Sequence, residues 1–257
     1  MADNGNYILR TDKATIKFGG LIAVNELTME VSPGEIYGLI GPNGAGKTTI
    51  FNLLTGVYEP TSGDITIAGK RVNGLKPYQI SRLGVSRTFQ NIRLFPSMTV
   101  LENVVTACHR HSKQNLVDAV FRSPRYFKDE RAHRDFALEL LQIFDLEKYR
   151  NEGGTSLPYG NQRRLEIVRA LATRPQLLLL DEPAAGMNPS EQDDLIALIK
   201  EVRDKFNLTV VLVEHNMRVV MGVCDRIQVV DYGKSIALGL PQDVKNDPKV
   251  IEAYLGD

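Results

Sequence analysis

Gly41-Pro42-Asn43-Gly44-Ala45-Gly46-Lys47-Thr48 follows the apolar run Ile36-Tyr37-Gly38-Leu39-Ile40 and leads into a helix-compatible segment, residues 49–54. The pattern G-x-x-x-x-G-K-[ST] lets the chain wrap tightly and aim successive backbone N–H groups at a phosphate, with no Cβ in the way. Lys47 can then reach the β- and γ-phosphates and the Thr48 hydroxyl can ligate Mg2+. The helix that continues through Thr49 turns its positive N-terminal end toward the anion. A strand before and a helix after distinguish such a loop from a simple glycine turn. The stretch predicts a nucleoside triphosphate as ligand.

Around this loop lie 257 residues with 31 Lys plus Arg, 31 Asp plus Glu and 43% hydrophobic residues, enough for a sizeable core and with no global field for nucleic acid or anionic lipid. No apolar run approaches the about 18 to 20 residues that span a bilayer. The polar start, Met1-Ala2-Asp3-Asn4-Gly5-Asn6, lacks the regions of a signal peptide, so a cytoplasmic location is expected. Cys108 and Cys224 lie far apart and read as free thiols. Cys108-His109-Arg110-His111 has metal-ligating side chains, but neighbours on a helix point to different sides and no second ligand cluster is apparent, so no structural metal is expected there.

Before the loop, residues 7–31 read as strands with a Gly19-Gly20 turn, which predicts an antiparallel sheet. Phe18 either packs in the core or stacks on a nucleotide base. After the loop, Ile65-Thr66-Ile67 reads as a short strand. Gln90 stands in a polar stretch with no helical or strand period, where its amide is either solvated or bound to Mg2+ or water. From Thr99-Val100-Leu101-Glu102, a capping box, the pattern turns helical, and Phe136, Leu140, Ile143 and Phe144 form one face. This predicts an inserted helical subdomain at residues 97–155, within a core of residues 1–96 and 156–257.

Leu157-Pro158-Tyr159-Gly160-Asn161-Gln162 opens the next helix, with glycine at an entrance whose free N–H groups can receive an anion. Leu177-Leu178-Leu179-Leu180 is an apolar strand of the parallel-sheet kind and delivers Asp181-Glu182 at its carboxyl end. Asp181 suits a water-mediated Mg2+ contact, and Glu182 can face the water that attacks a γ-phosphate. Asn188-Pro189 starts a further helix, residues 208–213 form another buried strand ending in Glu214-His215, and a hairpin turns at Tyr232-Gly233-Lys234. His215, at the carboxyl edge of a sheet that carries a phosphate loop, is a candidate ligand contact.

In this order, Phe18, the phosphate loop, Gln90, the helical block, residues 157–162, Asp181-Glu182, residues 185–188 and His215, the chain resembles the nucleotide-binding subunit of an ATP-binding-cassette transporter over essentially its whole length. The resemblance implies an α/β P-loop ATPase with a mixed, largely parallel core sheet, an N-terminal antiparallel β subdomain and an inserted α-helical subdomain. It implies ATP and Mg2+ as cofactors, with Phe18 and residues 41–49 on the nucleotide and Thr48, Gln90 and, through water, Asp181 on the metal. Catalysis would fall to Glu182, His215 and Lys47. Two subunits would sandwich ATP head to tail, so that Gly160 acts in trans. Arg87-Thr88-Phe89-Gln90-Asn91, the run from Leu157 to Ile167 and the run from Asp181 to Pro189 look like the branched-chain (hydrophobic) amino-acid importer ATPase. That family implies integral membrane permease subunits, a second ATPase and an extracytoplasmic binding protein as partners, and a peripheral place on the cytoplasmic membrane face.

Two departures from the family pattern stand out. Where the signature usually reads Leu-Ser-Gly-Gly-Gln, Pro158, Tyr159 and Asn161 replace serine, the first glycine and glutamine; Asn188 stands where an aspartate is usual. Either change can slow one composite site, which hints at a heterodimer with a related ATPase, while the second subunit is open to being a copy of this chain or that relative. The alternatives are a cassette for urea or lipopolysaccharide traffic, or a soluble cassette in DNA repair or translation. The last lacks support, since Arg122, Arg125, Lys128, Arg131 and Arg134 are interleaved with acids and read as a solvated helix face, so no nucleic-acid partner is expected.

Overall fold

A computed structural model of the chain describes residues 7–111 and 123–255. The described residues divide into two compact units. One draws on the described residues of Met1–Arg87, Gln176–Ala184 and Gln192–Asp257, the other on those of Thr88–Pro175 and Ala185–Glu191. The strands are β1 (Leu9–Phe18), β2 (Leu21–Val31), β3 (Ile36–Ile40), β4 (Ser62–Ile67), β5 (Lys70–Arg71), β6 (Val85–Arg87), β7 (Leu177–Asp181), β8 (Thr209–Val213), β9 (Arg226–Asp231) and β10 (Lys234–Gly239). The α-helices are α1 (Lys47–Leu54), α2 (Pro77–Arg82), α3 (Val100–Cys108), α4 (Pro124–Ile143), α5 (Tyr159–Ala172), α6 (Pro189–Phe206), α7 (Met217–Val223), α8 (Pro241–Lys245) and α9 (Pro248–Leu255).

The first unit holds both sheets. β1 and β2 are antiparallel across the Gly19-Gly20 turn, and with β4 and β5 they form a sheet in the order β2-β1-β4-β5. Burial along β2 alternates: Leu27, Met29 and Val31 are buried while Thr28 is exposed, as expected of a sheet with one solvated face. The second sheet runs β10-β9-β3-β8-β7-β6, with β9, β3, β8, β7 and β6 parallel and β10 antiparallel on β9. Every residue of β3, β7 and β8 is buried, which is why these strands read as unbroken apolar runs. β6 escapes that reading because only Val85 of its three residues is buried; it is fixed by pairing Val85 with Leu177 and Arg87 with Leu179.

In the second unit, Glu102 N donates to Thr99 Oγ1 (3.2 Å) and Thr99 N donates to Glu102 Oε2 (2.8 Å), the reciprocal bonds of a capping box that starts α3. Ser123 caps α4, accepting from Tyr126 N at 3.3 Å, and Pro124 supplies a first residue that needs no N–H partner. α4 buries His133, Ala137, Leu140 and Leu141, with Phe144 buried just past its end and Phe136 and Ile143 half-buried at the margin. Lys128, Arg131 and Arg134 are exposed; Arg122 lies outside the described residues. α5 buries Leu165, Val168 and Ala172. Each fully buried leucine or valine contributes about 1.5–3 kcal/mol relative to an exposed one, so these stripes hold the helices in place. No described helix is long and apolar enough to cross a membrane.

Candidate nucleotide-binding site

β3 ends at Ile40 and α1 begins at Lys47, so residues 41–46 turn at the carboxyl edge of the parallel sheet. Register brings three strand ends level: Leu39 of β3 pairs with Val213 of β8, and Val213 pairs with Asp181 of β7. Two glycines in the turn have clear physical reasons. A Cβ on Gly41 would lie 2.0 Å from the Val230 carbonyl oxygen, and Gly46 has φ 101°, in the left-handed region. No side chain caps α1, so its first N–H groups are available to an anion. The hairpin turn at Tyr232-Gly233 braces the loop, with Gly233 N donating to Ala45 O (3.0 Å) and Asn25 N donating to Gly233 O (2.8 Å).

Lys47 is buried and its Nζ donates to the Gly41 and Pro42 carbonyls at 2.6 and 2.8 Å. Burial lowers its pKa from the ordinary value, while the nearby Glu182 and Asp181 carboxylates oppose that shift. Thr48, Asn43 and Gly44 are exposed, with Thr48 on the first turn of α1.

Asp181, the last residue of β7, is buried and takes a 2.8 Å bond from Arg87 Nη2; the two side chains are only 6% and 8% exposed. Arg87 also donates to Asn52 Oδ1 (2.8 Å) and lies over the Phe51 ring, so the end of β6 locks Asp181 to α1. Glu182 has φ 47°, an uncommon backbone conformation for a non-glycine residue, held by its N–H bond to Val213 O (2.9 Å). Its Oε1 is 3.6 Å from His215 Nδ1, and the His215 side chain is 59% exposed.

Glu214 is fully buried between these segments. Its carboxylate accepts from Ala184 N (2.8 Å), His215 N (3.1 Å) and Asn216 N (3.3 Å), tying the turn after Glu182 to the turn that carries His215. Burial raises its pKa above the ordinary value and the three N–H groups oppose the shift. The sequence marks Glu214 only as the residue after a strand, and Arg87 only as part of a run; their partners become visible in three dimensions.

Phe18 does not pack in the core: it is 45% exposed at the end of β1, with its ring edge-on to Tyr58 at 5.2 Å. The strand end projects it beyond the sheet, which leaves its face open to stacking.

Gln90 and Gly160 belong to the second unit. Gln90 is exposed, and the backbone around it is gripped by α5. Buried Arg163 donates to the carbonyls of Phe89 (3.0 Å) and Gln90 and to Tyr159 Oη (2.9 Å), while Arg169 donates to the Arg93 carbonyl. Glu166 lies 3.7 Å from Arg163 and accepts from Arg93 N at 3.4 Å. Sequence reading missed Arg163 and Glu166; their i,i+3 spacing on a helix with a polar buried strip was the available signal. The Tyr159 ring packs on Gly186, where a Cβ would lie 2.8 Å from Cε1, and Asn188 accepts from Glu191 N (3.0 Å) at the start of α6.

Cys108 and Cys224 are free and buried; burial pushes the Cys108 thiol up to about 11 and the Cys224 thiol up to about 12. For residues 108–111 the expectation that no second group of ligands exists is corrected. The fold carries Glu130 and His133 of α4 to His109, across a separation that sequence spacing does not reveal.

A glycine-rich turn from a central parallel strand to a helix, with a lysine in the turn and an acidic pair at a neighbouring strand end, defines a P-loop nucleoside triphosphatase. Comparison with known proteins carries this further. Residues 24–185 match the model of the ABC transporter family, and residues 234–257 match that of the branched-chain amino acid ATP-binding cassette transporters. The chain is 47% identical to the high-affinity branched-chain amino acid transport ATP-binding protein BraF of Pseudomonas aeruginosa, over 97% of this chain and 98% of that one. Among solved structures it is similar to the ADP conformation of an ATP-binding cassette of an ABC transporter, with a TM-score of 0.84 and 30% identity over 98% of this chain and 99% of that one. It is also similar to a dimeric ATP-binding cassette in a post-hydrolysis state with ADP and Pi, with a TM-score of 0.76 and 25% identity over 91% of this chain and 98% of that one. The chain belongs to the ABC transporter family and is an ATP-binding cassette ATPase.

Proposed function

We propose that this ATPase powers an importer of branched-chain or hydrophobic amino acids, working on the cytoplasmic membrane face with integral permease subunits and, through them, an extracytoplasmic binding protein. The name of its 47% identical relative and the match of residues 234–257 favour this solute over urea or lipopolysaccharide. The observation that carries the hydrolytic part is that β3, which feeds the loop ending at Lys47, and β7, which ends at Asp181, finish level at one edge of the sheet, with the Glu182 and Asp181 carboxylates near the Lys47 ammonium.

In this reading residues 41–49 wrap the phosphates of ATP and Phe18 stacks on its base. Lys47 exchanges the Gly41 and Pro42 carbonyls for phosphate oxygens. Thr48 and Asp181 are oxygen donors of the kind Mg2+ takes, and Gln90 is a further such donor at its motif position. Mg2+, when bound, neutralises charge that builds on the phosphate oxygens. Glu182 orients and deprotonates the attacking water, and His215, 3.6 Å away, contacts the γ-phosphate. Gly160 acts from a second cassette, a role supported by the dimeric relative. Pro158 and Asn188, which replace a serine hydroxyl and a carboxylate, favour pairing with a related but different ATPase.

Glu182→Gln keeps the side chain's shape and removes the base. Turnover of ATP should fall about 10²–10⁴-fold while nucleotide binding persists; unchanged turnover would sink the role of Glu182. Reconstitution with the native permease subunits should give ATP-dependent uptake of leucine, isoleucine or valine. Uptake of urea instead, or recovery of the native protein only in ribosome or DNA complexes, would favour the alternatives.

A further inference from the structure

His109 begins the 3-10 turn that follows α3, and Glu130 and His133 stand at i,i+3 on α4, so both α4 residues share one helix face. All three lie in the same unit. One ligand atom from each lies within 4.8 Å of the other two. His109 Nε2 is 2.7 Å from Glu130 Oε1, and the two imidazole rings meet edge to face at 5.2 Å. An ion pair between His109 and Glu130 accounts for those two residues but not for the third. His133 is only 6% exposed, and its Nδ1 is sealed from solvent with no hydrogen-bond partner among the described residues. A buried imidazole nitrogen without a partner is uncommon in a folded protein and calls for an explanation.

We propose that His109, Glu130 and His133 form a zinc site in the helical unit, separate from the nucleotide site. Two imidazoles and one carboxylate suit a borderline cation such as Zn2+ better than Mg2+ or Ca2+, which take oxygen donors. A tetrahedral Zn2+ with bonds of about 2.0–2.1 Å sets its donors about 3.3 Å apart, so the three groups need only side-chain rotation to close on it. His109 and Glu130 are partly exposed, with side chains 44% and 32% accessible, which leaves an entry path and a fourth position for water. Burial shifts the His133 pKa below the ordinary imidazole value, and the Asp129 and Glu130 carboxylates oppose that shift. Asp129, beside the cluster, adds negative charge; Arg174 opposes it. The bound ion would pin the end of α3 to α4.

The test uses the full chain, stripped by chelator and free of nucleotide and Mg2+. Zn2+ titrated against a chromophoric competitor should bind at one equivalent with micromolar or tighter affinity and raise the thermal midpoint. Co2+ in its place should give the intense visible bands of a tetrahedral nitrogen and oxygen site. His109→Ala, at an exposed position that should not disturb folding, should weaken Zn2+ binding at least tenfold, and His133→Ala should do the same if it folds. Failure to bind one equivalent, binding unaffected by His109→Ala, or a Co2+ spectrum with thiolate charge-transfer bands would each overturn the proposal.

Discussion

Among the described helix starts that no side chain caps, α1 and α5 differ in the charge around them. α1 opens on Gly46 and α5 on Pro158. Aligned peptide dipoles give both starts partial positive character. Beside α1 the added charge is the Lys47 ammonium, resting on the Gly41 and Pro42 carbonyls. Beside α5 it is a carboxylate: a Cβ on Gly160 would lie 2.9 Å from Glu191 Oε1, and Glu191 is itself fixed by the Asn188 N–H at 2.9 Å. The first start carries a cation of its own, with the Glu182 and Asp181 carboxylates near it. The second is partly neutralised by its own chain, so an anion reaches it only in competition with Glu191. That difference suits a site in which one cassette captures ATP through its loop and a second engages it later.

The largest expected effect lies at α1. Lys47→Ala removes the ammonium and leaves two loop carbonyls without their donor, so nucleotide affinity should drop about 10²–10³-fold, read by titration with a fluorescent ATP analogue. Affinity within threefold of the parent would mean that the backbone N–H groups alone hold the phosphates, and the contrast with α5 would lose its basis. At α5, Glu191→Gln removes the charge while keeping an oxygen for the Asn188 N–H. An exposed or half-exposed charge at a helix start is worth about 0.3–1 kcal/mol, so ATP-dependent association with a second cassette, a copy of this chain or the related ATPase, should tighten about two- to fivefold by analytical ultracentrifugation. Weaker association would show that the carboxylate supports the interface rather than competing there.

Legibility in the sequence follows the same divide between local and distant causes. Residues 41–48 are readable because the glycines, lysine and threonine form a local pattern, although the contacts with Val230 and Gly233 that hold the loop come from far along the chain. β3, β7 and β8 are readable because burial on both faces demands apolar residues throughout. Thr99 and Asn188 announce their caps within three residues. By contrast Arg87 acquires its meaning from Asp181, 94 residues on, Arg163 from Phe89, 74 residues back, and Glu214 from Ala184, 30 residues back. A polar residue whose partner is set by strand order leaves no periodic trace. β6 is hidden for a related reason, since its three residues pair with β7 but only one is buried. Phe18 shows the limit of the aromatic rule, because a strand aromatic leaves core packing and stacking both open until the strand is seen to end there with the ring exposed.

The smallest expected effect comes from a carboxylate that, like Glu191, accepts backbone N–H bonds but does so in the interior. Glu214 holds three such bonds with no exposure at all, and burial outweighs them, so its pKa lies above the ordinary 4.5. A carboxyl with a raised folded-state pKa takes its proton more readily in the fold than in the unfolded chain. Its contribution to stability is therefore complete below the ordinary value and is lost as pH rises through the raised one. Between neutral pH and the ordinary carboxylate range, acidification should raise the thermal midpoint of the parent relative to Glu214→Gln, which has no proton to gain. Midpoints of the two proteins that move in parallel across this window would show that the three N–H bonds, not burial, set the ionisation of Glu214.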